Sequence, residues 1–95
     1  MKENDIVTIV AQSGEYVGKV KELSPLTITN PRMIIRNPEN GEMGFARGIA
    51  VTGEESPSEV LFNEYIFVVP TNQNVKNAFQ EATGELITPD SKIVT

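Results

Sequence analysis

The feature that most limits what this chain can fold into is a series of short runs of β-branched and aromatic residues, each closed by a turn signal. Residues 5–11 form the first run, which ends at Gln12-Ser13-Gly14. Residues 15–23 alternate between two faces, which is typical of a strand half exposed to water. Gly18 lies inside this second run, where a glycine indicates a sharp bend or a close backbone approach. The pattern predicts a mainly β fold that opens with two paired strands.

The third stretch of the chain is interrupted by prolines. Ser24-Pro25 ends the second strand, and residues 26–29 favour another strand. Pro31 stops ordinary ladder pairing before extended structure resumes at residues 33–36, so we expect a bulged or an edge strand. The Asn40-Gly41 pair that follows is a strong hairpin signal, because both residues tolerate positive φ.

The second half of the chain begins with a weak strand and continues with the most apolar segments. Residues 43–52 are the returning strand of the predicted hairpin, although glycines weaken them. Residues 59–62 and 65–69 predict two short strands joined at Asn63-Glu64, and Pro70 ends the second of them.

A single helix is predicted after the last strand, over about residues 74–83. Its apolar stripe follows the spacing i, i+3, i+4 and i+7 and consists of Val75, Ala78, Phe79 and Ala82. Thr71 or Asn74 would be the N-cap, and Gly84 would end the helix. In the tail, residues 85–95, we expect another short extended piece around Lys92, Ile93 and Val94.

The length and the missing residue types limit the classes of function. A chain of 95 residues suffices for one domain, which we place over residues 1–95. The absence of cysteine and histidine removes thiolate nucleophiles, imidazole bases and the preferred zinc ligands. The acidic group Glu54, Glu55 and Glu59 lacks the ligand pattern of a calcium loop, so we interpret it as solvated. We therefore expect a protein that is not an enzyme and uses no metal or cofactor.

The start of the chain and its apolar runs bear on location. The first residues lack the basic region and apolar run of a secretory signal. The apolar runs are far shorter than the roughly 20 residues of a membrane helix. These features predict a cytoplasmic protein with no membrane partner.

The charges are unevenly distributed. Acidic residues outnumber basic ones by 13 to 8, giving a net charge of −5, which argues against strong indiscriminate binding to a polyanion. Residues 17–36 nevertheless contain Lys19, Lys21, Arg32 and Arg36 against Glu22 alone. This basic band is either a local anion-binding face or a set of solvated strand charges.

Several of these segments resemble Sm-like proteins. Residues 14–28, with their central glycine and short loop, resemble the first Sm motif in the order of their residue types. Residues 60–69 resemble the second motif. The sequences of residues 26–33 (Leu-Thr-Ile-Thr-Asn-Pro-Arg-Met) and 64–70 resemble those of small Sm-like proteins from marine metagenomes. These proteins are thought to come from cyanophages. The resemblance implies a strongly bent, five-stranded open barrel over about residues 5–70. The helix departs from the family, because it follows the last strand instead of preceding the first.

The resemblance also implies an assembly. Family members form rings by pairing the fourth strand of one subunit with the fifth strand of the next. Such closure would give every unpaired strand edge a partner. The residues expected at this interface are the apolar ones of the last two strands: Val60, Leu61, Phe62, Tyr65, Ile66, Phe67 and Val68.

Family members commonly bind RNA at loops that face the pore of the ring. The matching positions are residues 24–27 and Asn63-Glu64, although the acidic residue, the asparagine and the Arg-Gly pair of the family are replaced there. We predict a homo-oligomeric ring that binds single-stranded RNA or DNA. Its expected nucleic-acid contacts are basic and amide side chains: Lys19, Lys21, Asn30, Arg32, Arg36, Arg47 and Asn63. The alternative is a phage assembly or adaptor module that binds only protein, which the net negative charge favours. If the chain is encoded by a phage, the compartment would be the cytoplasm of the host cell.

Overall fold

The computed structural model describes residues 1–84 and shows a mainly β, antiparallel architecture with one helix. Within these residues there are six strands, followed by the helix. In chain order they are β1 (Ile6–Ala11), β2 (Gly14–Leu23), β3 (Leu26–Arg36), β4 (Met43–Ala46), β5 (Glu59–Phe62), β6 (Phe67–Pro70) and α1 (Gln73–Thr83). The expected extended piece in residues 85–95 lies outside the described residues.

The strands form one sheet in the order β4-β3-β2-β1-β6, with β5 also paired to β3. The N-terminal part of β3 pairs with β5, and its C-terminal part pairs with β4. Because β2 pairs along one side of β3, β4 and β5 both pair along its opposite side. The described residues therefore contain one strand more than the five implied by the resemblance, and their six strands correspond to the six segments predicted from the residue pattern.

Of the two features predicted at Gly18, a sharp bend or a close backbone approach, the close approach is confirmed. Here one residue of β2 lies opposite two residues of β3, Asn30 and Pro31, so β3 carries a bulge. Asn30 adopts a left-handed conformation with φ of 52°. A Cβ on Gly18 would overlap the Cγ2 of Ile28 and lie 3.1 Å from the carbonyl oxygen of Thr29. The missing side chain thus lets β3 cross close to β2, and β3 is a bulged inner strand, not an edge.

Two turns follow their sequence signals. Gln12 and Ser13 connect β1 to β2, with Ala11 paired to Gly14. The β3–β4 hairpin closes through a hydrogen bond of 2.8 Å from the Asn37 amide to the Glu42 carbonyl. Gly41 adopts φ of 73° in this loop, as the Asn-Gly signal predicts.

Two of the predicted strands are shorter than expected. β4 ends at Ala46 instead of continuing to residue 52, because the glycine-rich segment beyond it turns away from β3. β6 begins at Phe67, and Tyr65 and Ile66 precede it. The amide of Ile66 still donates to the carbonyl of Val10 at 2.7 Å, so the chain already follows β1 there as a bulge.

The apolar residues of the sheet divide between its two faces. One face contains the inner cluster, a buried group formed by Val7, Ile9, Tyr16, Val20, Leu26 and Ile28. The opposite face contains the helix-side cluster, in which α1 meets the sheet, formed by Ile6, Val17 and Phe79. Neighbouring residues of a strand point to opposite faces, which is why β1 and β2 contribute to both clusters.

The helix is bounded as a capped element. Asn72, not Thr71 or Asn74, is the N-cap, and its side chain accepts a hydrogen bond of 2.9 Å from the Val75 amide. Gly84 ends the helix in the left-handed conformation, as predicted. The predicted stripe is only partly correct.

Phe79 is fully buried and Val75 half-buried, whereas Ala78 and Ala82 are exposed. The large aromatic ring anchors the helix against Phe45, with ring centroids 6.2 Å apart. Val75 packs against the same cluster, whereas the two alanines on the flank of the helix face water.

Candidate assembly edges and nucleic-acid interface

The strands β5 and β6 are edges of the sheet within the described residues. β5 pairs only with β3, and β6 pairs only with β1. An edge strand presents backbone N–H and C=O groups that can pair with another chain. Because β4 likewise pairs only with β3, strand addition is geometrically open at β4, β5 and β6 within the described residues.

The hydrogen-bonding pattern shows which backbone groups of β5 face the open edge. Residues of an antiparallel pair alternate between bonding to the partner and pointing away from it. The amide of Asn30 donates to the Ser58 carbonyl at 2.9 Å, so Ser58 points toward β3. By alternation Glu59 and Leu61 direct their backbone groups away from β3, toward the open edge.

The backbone groups of β6 alternate in the same way. The amide of Thr71 donates to the Ile6 carbonyl at 3.2 Å, so Thr71 points toward β1. By alternation Val68 and Pro70 point away from β1. Pro70 has no N–H, and a proline in this position leaves no donor unpaired at the edge.

Both edge strands carry exposed apolar side chains. Leu61 is 58% exposed and Phe67 48% exposed, and Tyr65 and Ile66 beside them are also exposed. Val69, at 40% exposure, shares this surface and was not among the residues predicted from the sequence. Val69 lies two residues after Phe67 in β6 and therefore on the same face, which is the sequence signal that could have identified it.

The remaining predicted interface residues face the other way. Val60, Phe62 and Val68 are half-buried and pack against the inner cluster. The ring of Phe62 meets that of Tyr16 edge to face, with centroids 5.2 Å apart. The side chains that face the inner cluster thus hold each edge strand to the sheet. The side chains on the opposite face of the same strand contact water.

The predicted nucleic-acid residues on β2 and β3 are not gathered on one open face. Arg32 is buried, and its guanidinium donates to the Pro31 carbonyl at 3.1 Å. Lys21 is exposed and forms an ion pair of 3.2 Å with Glu59. Lys19 is half-buried on the β2 segment paired with β1 and β3.

The other predicted contact residues are more scattered. Arg36 lies at the hairpin end of β3, where it donates to the Gly41 carbonyl at 3.1 Å. Arg47 is exposed just after β4, and Asn63 is exposed just after β5. Asn30 is half-buried within the β3 bulge. The basic band of the sequence is therefore divided: Arg32 is buried, Lys19 is half-buried, Lys21 is in an ion pair, and Arg36 lies at the hairpin end of β3.

The two loops suggested by the resemblance do lie side by side. Leu26 pairs both with Leu23 across the β2–β3 turn and with Phe62 at the end of β5. The turn at Ser24-Pro25 and the segment Asn63-Glu64 are consequently neighbours at one end of the sheet. Because Glu64 is exposed there, this loop pair carries no cationic excess of its own.

Comparisons with protein-family models, with curated proteins and with solved structures find no significant match. The Sm-like resemblance stays a prediction, based on the short motifs quoted above.

Two further properties of residues 1–84 concern metals and membranes. No group of three or more aspartates and glutamates is arranged to hold a metal ion within this range. In the same part of the chain, α1 is too short and too polar to cross a bilayer.

Proposed function

We propose that this chain is a non-catalytic assembly module whose copies join head to tail through β5 and β6 and close into a ring. The observation that supports the proposal is the presence of two open, apolar strand edges on one small sheet. A heterologous contact between different edges of identical chains forms a ring when its rotation closes. In that ring every copy uses both edges, and the exposed apolar side chains become buried.

Leaving such apolar strand edges in water is unfavourable. Proteins usually protect edge strands with charge, proline or a covering loop, because open edges promote aggregation. On β6 only Pro70 serves this purpose, while Phe67 and Val69 remain exposed. On β5 the one acidic residue, Glu59, is paired with Lys21. Self-assembly therefore supplies the protection that each isolated edge lacks.

The test is the solution mass, measured by sedimentation equilibrium over a range of protein concentrations. We expect the mass of several subunits for the unmodified chain. Leu61→Lys and Phe67→Lys should each reduce that mass, because a lysine on an open edge opposes strand pairing.

The matched control is Ile35→Lys. Ile35 is also exposed and apolar, at 50%, but it lies on β3 near the hairpin, away from β5 and β6. This variant should keep the parent mass. A parent chain that remains a monomer at all concentrations would contradict the proposal.

Binding of single-stranded RNA or DNA by the ring is a second candidate function. The observation that favours it is the adjacency of the 24–25 turn and Asn63, since a ring would repeat this loop pair once per subunit. Repeated weak sites raise avidity without any new contact. The exposed Lys21, Arg36 and Arg47 are the cations best placed to contact phosphates.

Labelled RNA and DNA oligonucleotides, titrated at two salt concentrations, test this candidate. We expect weak binding that falls with salt and weakens further in Lys19→Ala/Lys21→Ala and in Arg36→Ala/Arg47→Ala. If the assembled protein binds neither RNA nor DNA at low salt, the result favours the alternative of an adaptor that binds only protein. The net charge of −5 supports that alternative.

A further inference from the structure

We infer that Asn40, in the loop of the β3–β4 hairpin, is a site of spontaneous deamidation whose products are aspartate and isoaspartate. This modification does not depend on the proposed assembly. Three properties of the loop point to it: the residue that follows Asn40, the exposure of both residues to water, and the hydrogen bonds around them.

Asn40 is the one asparagine of the chain that a glycine follows. In deamidation the backbone nitrogen of the next residue attacks the side-chain carbonyl carbon, so a side chain on that next residue obstructs the approach. Gly41 has none, and open space surrounds the position of its missing Cβ. Asn30 and Asn37 each precede a proline, whose nitrogen carries no hydrogen to lose. The remaining asparagines precede residues that carry a side chain: Asn4, Asn63, Asn72, Asn74 and Asn77.

Hydrogen bonds of the loop act on both reacting groups. The Glu42 amide donates to the Oδ1 of Asn40 at 2.9 Å, which polarises the side-chain carbonyl and makes its carbon a better electrophile. The Gly41 amide donates to the Asn37 carbonyl at 2.7 Å, so hydroxide removes its proton only when this bond opens. Asn40 and Gly41 are exposed, and loops of this kind open at little cost in free energy. The folded loop therefore permits the reaction but slows it.

The steps of the reaction balance with water as the only other reactant. Hydroxide takes the proton of the Gly41 amide, and the nitrogen bonds to the Cγ of Asn40. The side-chain nitrogen takes a proton from water and leaves as ammonia, which closes a five-membered succinimide ring. Water then adds to one of the two ring carbonyls and breaks its bond to nitrogen. Opening at Cγ gives aspartate, and opening at the backbone carbonyl gives isoaspartate.

Both products change the hairpin. Each adds a carboxylate to a loop that already contains Glu39 and Glu42, beside Arg36, whose guanidinium donates to the Gly41 carbonyl at 3.1 Å. Isoaspartate also lengthens the backbone by one methylene group, which displaces Gly41 from the Asn37 carbonyl. We therefore expect isoaspartate to weaken the closure of the hairpin.

Peptide mapping by mass spectrometry tests the modification on the full chain, incubated in its folded state at mildly alkaline pH. Samples taken over time are digested, and each peptide that contains asparagine is examined for replacement of the amide by an acid. We expect Asn40 to convert first, at a rate that rises with the hydroxide concentration. Methylation by isoaspartyl methyltransferase should locate isoaspartate at the same position. Asn63, which is also exposed, is the internal control and should stay an amide over this period.

Gly41→Ala is the matched variant, because it keeps Asn40 and places a methyl group on the attacking residue. It should slow the conversion of Asn40 several-fold. The slowing should persist when both chains are unfolded in guanidinium chloride, where the strain of alanine at φ of 73° no longer acts. The parent chain should convert faster unfolded than folded, since unfolding releases the Gly41 amide from Asn37.

Asn40→Asp separates the two effects on the hairpin, because it adds the charge without the methylene group. The aged chain that contains isoaspartate should unfold at a lower urea concentration than this variant. Equal midpoints would contradict the displacement of Gly41.

Two results would overturn the assignment of Asn40 as a modification site. One is an Asn40 that stays an amide in the folded chain over a period in which Asn63 converts. The other is a Gly41→Ala variant that converts as fast as the parent in guanidinium chloride. Equal rates for the folded and the unfolded parent would overturn the slowing assigned to the hydrogen bond with Asn37.

Discussion

The close passage of β2 over β3 leads to a quantitative prediction for Gly18→Ala. The new methyl group would overlap Ile28, which is fully buried, and would lie 3.1 Å from the carbonyl oxygen of Thr29. The backbone cannot move aside without disturbing the bulge at Asn30, so the substitution overpacks the inner cluster. Overpacking typically costs about 1–3 kcal/mol.

A smaller effect acts in the opposite direction. Alanine is favoured over glycine within a strand by about 0.5–1 kcal/mol, because glycine loses more conformational freedom on folding. The net loss expected for Gly18→Ala is therefore about 0–2.5 kcal/mol in the free energy of unfolding, with a central value near 1 kcal/mol. With a urea dependence of about 1–3 kcal/mol per molar, the unfolding midpoint should fall by roughly 1 M.

Urea unfolding followed by circular dichroism measures this loss. All variants must be compared at one protein concentration, since assembly would couple stability to concentration. Gly44→Ala is the matched control, because its methyl group would lie 3.4 Å from the Cγ1 of Ile35, an ordinary contact. It should raise the free energy of unfolding by about 0.5–1 kcal/mol at most, because only the gain of alanine over glycine in a strand applies there.

A double-mutant cycle identifies the cause. Ile28→Ala alone should cost about 2–5 kcal/mol through the cavity it leaves. Combined with Gly18→Ala, the loss should be smaller than the sum of the single losses, because the added methyl group enters the vacated space. Strict additivity, or a Gly18→Ala variant as stable as Gly44→Ala, would refute the overpacking argument.

Three other substitutions test the helix and the ion pair on β5. Phe79→Ala should cost about 3–5 kcal/mol by removing the buried ring that anchors α1, whereas Ala78→Ser, on the exposed flank, should have little effect; thermal unfolding compares them. Asn72→Ala should cost about 1 kcal/mol through loss of the N-cap, and an unchanged midpoint would contradict that role. Lys21→Ala removes an exposed ion pair with Glu59, so its cost should stay below about 1 kcal/mol and shrink further when unfolding is repeated in high salt.

The sequence alone determined the class of the fold and most of its turns. β-branched runs closed by turn signals predicted strands close to those observed for β1, β2 and β5, because local propensity and alternation require no knowledge of partners. Gly18 predicted the close approach of two strands, and Gly41 and Gly84 predicted a hairpin and a helix end. These signals are local, since each depends on the φ values or the space that a single residue allows.

What only the tertiary structure decided is how these elements meet. β4 and β5 share one side of β3, because the bulge at Asn30 divides the strand into two segments, and such pairing depends on residues distant in the chain. The burial of Arg32 and the ion pair of Lys21 likewise arise from neighbours that a linear pattern of charge does not specify. A basic band in the sequence becomes a basic face only if its side chains point in the same direction, and here the register of the sheet separates them.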